Sequence, residues 1–290
     1  LFYVFISEIM VEHYRKIRKY VKDADVVHIH WALMMIDYRN TMKIVRDSKK
    51  VVWTAHDCWP FTGGCHYVPG NCEGYMDGCH KCPLLNSANK TDLTKWIYSL
   101  KKKYYSDKIT MVGPSNWMSG YIRKSGIFCN NTVVTIPNAL DCRVFNILSR
   151  NQTRKKYAIP IDKKVILVGA VDMASPYKGY NNFLSILKAI KQDPECSDIM
   201  VVIFGKHVDV EDICPEVKCI QLGYIDSVQK MAEVYNLADV FMLTSTDENL
   251  PTVVMESLSC GTPVTTFEVG GVADMISHKV DGYIAKAFDV

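Results

Sequence analysis

An α/β protein with two doubly wound, Rossmann-like sheets is what the sequence predicts, and three observations predict it. Short β-rich apolar runs recur along the chain, segments of helical period lie between most of them, and a polar interval splits the series in two. The runs are Val26–His30, Val51–Ala55, Ile109–Gly113, Val133–Ile136, Val165–Val171, Ile199–Phe204, Val217–Leu222, Val240–Thr244 and Pro263–Phe267, with Gly282–Ala285 strand-like near the end. They read as buried parallel strands. Tyr180–Lys191 places Phe183, Leu184, Leu187 and Ile190 on one helical face, and Ser227–Leu237 does the same with Val228, Met231, Val234 and Tyr235. Strand–helix alternation of this kind builds doubly wound sheets.

The polar interval is Arg143–Lys164, with Asn151–Lys156 at its centre and Pro160 before the next strand. It puts the domain boundary near Ser149, giving domains 1–148 and 149–290. The chain opens at Leu1, inside the apolar run Leu1–Ile6, and stops at Val290 soon after Gly282–Ala285, so both ends read as cut.

With 290 residues, 48% hydrophobic and 22% charged, the chain can bury two cores of ordinary size, which excludes a disordered or fibrous protein. Its 34 Lys plus Arg against 31 Asp plus Glu leave a net charge of +3, too little for a nucleic-acid binder. No apolar run approaches the roughly 18 residues of a membrane span, and the 11 cysteines come without a signal peptide. A reducing, cytoplasmic compartment is the expectation.

In open α/β sheets ligands sit beyond the carboxyl ends of the strands, which directs attention to His56-Asp57, Ser115, Asn138, Lys178 and Glu248. After the run ending at Thr244 comes Asp247-Glu248-Asn249-Leu250-Pro251-Thr252-Val253-Val254-Met255-Glu256, in which Pro251 suits a first helical position. The free N–H groups and positive dipole end of such a helix suit a diphosphate. Glu256 falls roughly 7–8 Å further along the axis, where a carboxylate can accept both hydroxyls of a ribose. Taken alone, the segment serves equally well as an exposed loop acid followed by a solvated helix.

The Glu248–Glu256 pair, E-x7-E in a strand–loop–helix setting, resembles the signature of family-4 retaining glycosyltransferases of the GT-B fold. The resemblance extends over nearly the whole chain. Thr54–Tyr67, with His56-Asp57-Cys58-Trp59-Pro60 and Thr62-Gly63-Gly64-Cys65-His66, is similar to bacterial exopolysaccharide and colanic-acid-type transferases. It implies that Glu256 holds the donor ribose, that Glu248 contacts the donor sugar, and that amides from Asn249 and Leu250 through Pro251 to Thr252 face the diphosphate. Lys178, in Pro176-Tyr177-Lys178-Gly179, matches the diphosphate-binding lysine, where a cation steadies the leaving group. His56 takes an orienting or electrostatic role near the reaction centre. Gly270-Gly271 matches a loop near the donor, and Ser115 and Asn138 match cleft-lining positions, although turn capping explains the last two as well. Two departures stand out: Gly169-Ala170 replaces the usual Gly-Arg, and Ala139 replaces a glycine.

The implied donor is a UDP- or GDP-sugar and the acceptor a saccharide, lipid-linked in many such pathways, with transfer under retention and no catalytic metal. The implied fold also has a first strand with a Gly-rich loop before Leu1 and bracing helices after Val290, so this stretch alone is expected to bind donor weakly.

Cys65, Cys72, Cys79 and Cys82 form C-x6-C-x6-C-x2-C inside a loop of about 35 residues, long enough to call for a constraint. Four thiolates can bind a structural zinc, and buried free thiols are the alternative. Thr91–Ser106 reads as a surface helix with Leu93, Ile97, Leu100 and Tyr104 inward and Lys101-Lys102-Lys103 solvated, a face that can also meet a membrane. Two rival readings stay open. A nicotinamide oxidoreductase would use similar domains but wants a G-x-G-x-x-G that no strand here precedes, and a metal-stapled, non-catalytic binding scaffold would keep the cysteines and dispense with the Gly-Arg.

Overall fold

Ten parallel strands fall into two separate sheets in the computed structural model, which describes residues 11–31, 38–206 and 217–286. The chain divides into two compact units, Leu1–Pro137 and Asn138–Val290.

In the first unit, β1 (Val27–Ile29), β2 (Val51–Thr54), β3 (Ile109–Gly113) and β4 (Val133–Thr135) lie side by side in chain order. Each is paired in parallel with the next, as their continuous apolar character requires. The helices are α1 (Val11–Asp23), α2 (Tyr38–Asp47), the single turn α3 (Gly74–Asp77), α4 (Leu93–Tyr104) and α5 (Asn116–Lys124). The apolar run Leu1–Ile6 lies outside the described residues, and α1 opens the described part of the chain. Ile44, Trp53, Ile109, Met111, Met118, Ile122 and Phe128 fill the core.

Among the described residues the second unit holds six strands: β5 (Lys164–Ala170), β6 (Ile199–Gly205), β7 (Cys219–Gly223), β8 (Val240–Leu243), β9 (Val264–Phe267) and β10 (Gly282–Ala285). Their order is β10-β9-β8-β5-β6-β7, so the chain steps outward on one side of β5 and then returns to step outward on the other. The strand order reverses between β5 and β8, and ligands of doubly wound sheets bind outside the carboxyl ends of the two strands at such a point. The helices α6 (Arg150–Lys156), α7 (Tyr180–Gln192), α8 (Val228–Leu237) and α9 (Thr252–Ser259) accompany this sheet.

The division between the units falls before the polar interval that suggested a boundary near Ser149. Residues just after Asn138 pack into the second core: Phe145 is buried there, Ser259 Oγ donates to its carbonyl at 2.5 Å, and Asn236 Nδ2 donates to that of Asn146 at 2.9 Å. Nor is the interval a bare linker. It contains α6, whose Arg154 is buried and donates to the carbonyls of Leu237, Ile161 and Lys163 while pairing with Asp239 at 2.6 Å. A guanidinium with five donors can satisfy that many acceptors at once, so a charged side chain is retained in the interior.

Two helical expectations are corrected. Val228 is 52% exposed because it opens α8 ahead of the stripe that Val234 and Tyr235 bury. In α4 the buried face is Thr94, Ile97, Tyr98 and Lys101, so Lys101 belongs to the interior and not to a solvated charge run. Its ammonium donates to the carbonyls of Trp59 and of Thr62 (3.0 Å for the latter) and sits 3.8 Å over the Trp59 ring. A tight turn whose carbonyls point inward needs a donor there, and lysine reaches it.

Candidate functional site

Three loops of the second unit converge at the switch point. Tyr177–Gly179 follows β5, Thr244–Asn249 follows β8, and Gly270-Gly271 follows β9. Thr246 N donates to Tyr177 O at 2.9 Å, Thr244 Oγ1 to Lys178 O at 3.0 Å, and Gly271 N to Glu248 O at 3.0 Å. The joints demand glycine. Gly179 and Gly270 have φ of +67° and +51°, and a Cβ on either would come within 1.8 Å of Thr244 O or 1.7 Å of Glu248 O.

At the centre Lys178 Nζ donates to Glu248 Oε1 at 2.6 Å, and Ser245 Oγ donates to the same oxygen at 2.8 Å. Glu248 is buried, its side chain 8% exposed, whereas that of Lys178 is 33% exposed. The carboxylate is thus fixed by two donors, while the ammonium stays within reach of solvent and of an anionic ligand. Ser245, buried and aimed at Glu248, was not singled out in the sequence; a serine just past β8 was the only signal.

α9 begins at Thr252, with Pro251 as its N-cap in an extended conformation and not as its first helical residue. Asn249 and Leu250 are buried just before it, and Asn138 Nδ2 donates to Leu250 O at 3.2 Å. Asn138 therefore holds the segment that leads into α9. Glu256, one turn inside the helix and half-buried, accepts from the fully buried Tyr235 hydroxyl at 2.8 Å. Burial raises the Glu256 carboxyl, and hydrogen bonds from Tyr235 and Thr252 pull it partly back. Lys178, Glu248, Asn249, Leu250, Pro251, Thr252, Glu256, Gly270 and Gly271 thus all lie on the switch-point loops or on α9. Ala170 closes β5 where the Gly-Arg pattern has its arginine, which leaves Lys178 as the cation of these loops that the sequence singled out.

In the first unit the carboxyl ends of β1 and β2 carry a histidine cluster. His30 Nδ1 lies 3.0 Å from His56 Nε2, the two rings are stacked at 5.3 Å, and His28 lies 4.1 Å from His30 while meeting Thr54 Oγ1 at 2.8 Å. Burial first, and then His30, lower the pKa of His56, and the same two causes lower that of His28. The neutral imidazole is the resting form, suited to hydrogen bonding more than to carrying charge. His28 and His30 escaped sequence reasoning because they lay within a predicted strand; their alternate spacing at its end was the available clue.

Asp57 is structural. Its carboxylate accepts from Trp31 Nε1 at 3.0 Å and Trp59 N at 2.9 Å and meets His66 Nδ1 at 2.7 Å, fixing the turn that follows β2. Ser115 is the N-cap of α5, its Oγ accepting from Met118 N at 3.0 Å.

The four cysteines of the C-x6-C-x6-C-x2-C pattern border one small apolar cavity with His80. Among the described residues no three His, Cys, Asp or Glu groups stand together as a ready-made ligand set. Burial raises Cys65 and pushes Cys79 up to about 12, so neither is a nucleophilic thiolate as it stands.

Two parallel Rossmann-like sheets, with ligand-facing loops at a switch point, define the GT-B class of fold. Structural comparison agrees. Sucrose-phosphate synthase of Thermosynechococcus elongatus superposes with a TM-score of 0.71 at 16% identity, covering 98% of this chain and 66% of that one. HepE of Anabaena, in complex with UDP-glucose, gives 0.62 at 15% identity, covering 94% and 68%. Residues 149–290 match the family of glycosyl transferases group 1. Among curated relatives, WcaC of Escherichia coli K12, described as a colanic acid biosynthesis glycosyl transferase, is 24% identical over 91% of this chain and 65% of its own length. The N-acetyl-alpha-D-glucosaminyl L-malate synthase of Bacillus anthracis is 23% identical over 55% of this chain and 42% of its own. The chain thus spans less than two thirds of the length of either relative. No helix among the described residues is long and apolar enough to cross a membrane.

Proposed function

We propose that the protein transfers a sugar from a nucleoside-diphosphate donor to a saccharide acceptor with retention of configuration, in the synthesis of an exopolysaccharide or other surface polysaccharide. The observation that carries this reading is the Lys178–Glu248–Ser245 cluster at the switch point, beside the N-terminus of α9. Lys178 and the first amides of α9 receive the diphosphate, the first by charge and the second by free N–H groups at a positive dipole end. Glu248, held by Ser245, accepts from hydroxyls of the donor sugar, and Glu256, steadied by Tyr235, accepts from the ribose.

As the glycosidic bond lengthens, negative charge grows on the departing diphosphate oxygen, and a cation already in place stabilises it without reorganisation. That oxygen is the base for the acceptor hydroxyl on the same face, which accounts for retention without an enzymic nucleophile or a catalytic metal. His56 takes the orienting role that the resemblance implies, as a neutral imidazole with His30 as neighbour. The UDP-glucose complex of HepE favours a nucleotide-sugar donor, and the likeness to WcaC favours a polysaccharide pathway. A lipid-linked acceptor met at the cytoplasmic face of a membrane belongs to the same proposal.

The test is a screen of UDP- and GDP-sugars against saccharide acceptors, with NMR of the product anomer. Transfer with the donor's configuration kept supports the proposal, inversion removes the retaining mechanism, and hydride transfer to a nicotinamide in place of glycosyl transfer would replace it.

A further inference from the structure

We propose that Cys65, Cys72, Cys79 and Cys82 are the ligands of a structural zinc ion, and that buried Lys101 is the cation that balances the charge of the tetrathiolate. The four side chains, from three separate stretches of one loop, border a cavity of about 30 Å³ together with His80, Leu93, Thr94 and Ile97. Cys72 Sγ and Cys79 Sγ lie 3.6 and 3.7 Å from the point where a Cβ on Gly74 would stand, so both sulfurs flank Gly74.

Three further features point to a ligand there. Gly63 N donates to Cys79 Sγ at 3.2 Å, the kind of N–H···S bond that steadies a metal thiolate. Cys79 and Lys81 both have positive φ, of 39° and 46°, so the Cys79–Cys82 turn is bent in the left-handed region at two non-glycine positions, a strain that persists where surroundings impose it. His80 Nδ1 is buried with no hydrogen-bond partner.

The charge balance is the second line of argument. Lys101 is fully buried, and its ammonium is held by two backbone carbonyls and the face of Trp59, with no carboxylate at ion-pair distance among the described residues. A buried cation without a counter-ion is costly. Zinc with four thiolates carries a net charge of −2, and Lys101 bonds to Thr62 O, beside the Gly63 amide that meets Cys79, so it is placed to offset that charge. Among the described residues no three His, Cys, Asp or Glu groups stand as a ready-made ligand set, so metal binding requires the sulfurs to draw closer.

The consequence for the rest of the unit follows from connectivity. Cys65 adjoins His66, which holds Asp57, which adjoins His56. A metal at the cysteines therefore buttresses the turn after β2. Asp92 ties the other end of the loop, accepting from Cys82 N at 2.9 Å while capping α4.

The experiment is metal analysis of the protein purified from zinc-supplemented cells, with Cys79→Ser, Cys72→Ser, Lys101→Met and the exposed control Cys129→Ser. Roughly one zinc per chain is expected in wild type and in Cys129→Ser, a loss of most of it in the two ligand variants, and about tenfold faster extraction by a chelator in Lys101→Met. Should the ligand variants not fold, Co(II) titration of chelator-stripped wild type decides, because four thiolates give an intense thiolate-to-metal charge-transfer band and tetrahedral ligand-field transitions. Wild type with less than about a tenth of an equivalent of zinc and no such Co(II) spectrum would overturn the proposal, as would a disulfide between any two of the four cysteines.

Discussion

Lys178 and Glu248 form one ion pair, but the structure makes their removal unequal. Glu248 is almost fully enclosed, whereas a third of the Lys178 side chain meets solvent. Lys178→Met takes away the ammonium at 2.6 Å and leaves a buried carboxylate with Ser245 as the donor that remains on that oxygen. Stripping one partner from a fully buried pair costs about 3–5 kcal/mol, and the exposure of Lys178 reduces the expectation here to about 1–3 kcal/mol. Glu248→Gln leaves an ammonium that can turn to water and an amide oxygen that still accepts from Ser245, so its cost stays below about 1 kcal/mol. The double variant should be more stable than Lys178→Met, giving a coupling of roughly 1–2 kcal/mol in a double-mutant cycle. Urea unfolding measures these stabilities, and donor turnover in the same samples should fall about a hundredfold in Lys178→Met. Equal destabilisation by the two single changes, or costs that simply add, would refute the argument that the buried carboxylate is the dependent partner.

Other consequences are equally specific. Gly270→Ala forces a Cβ to within 1.7 Å of Glu248 O at positive φ, so the variant should lose at least about 2 kcal/mol in urea unfolding and weaken donor binding together with stability. Asp92→Ala should cost about 1 kcal/mol by removing the α4 cap. Burial alone would raise the Asp92 carboxyl, but the Thr94 hydroxyl and the amides of Cys82 and Lys95 hold it at about 2, below its unfolded value. Its contribution is therefore complete above the unfolded pKa and lost as pH falls through about 2, so acid titration of wild type and Asp92→Ala should converge there. His28 and His56 are lowered by burial, so the unfolded chain takes up their protons first and stability falls as pH drops below about 6.5. His28→Gln should flatten that acid limb, and an unchanged slope would show that other groups carry it.

Much of this architecture was legible in the residues because burial on both faces leaves a simple trace. The runs beginning at Ile109 and Ile199 became β3 and β6 with ends shifted by a residue at most, and every strand pairs in parallel. The E-x7-E segment was legible for a similar reason: a strand, a short loop and a helix start are local events. What stayed hidden depends on contacts far apart in the chain. Lys101 looked solvated because three consecutive lysines usually are, and the carbonyls that draw it inward belong to residues 59 and 62. The His30–His56 contact joins neighbouring strands, and no periodicity announces it. Asn138 reads as a turn residue until its bond to Leu250 O is seen. The division at Asn138 lies ahead of the polar stretch because Phe145 and Arg154 bind that stretch into the second core.

Donor recognition by Lys178, Glu256 and the start of α9 is the claim on which the account depends, and calorimetric titration of UDP and of GDP into wild type and Glu256→Gln tests it most directly. Saturable one-site binding of one of the two nucleotides is expected, weakened at least about tenfold in Glu256→Gln, as follows from removing a charged acceptor for the ribose hydroxyls. Equal affinity in wild type and variant would take Glu256 out of the site, and absence of binding by either nucleotide to wild type would contradict the reading of this protein as a nucleotide-sugar transferase.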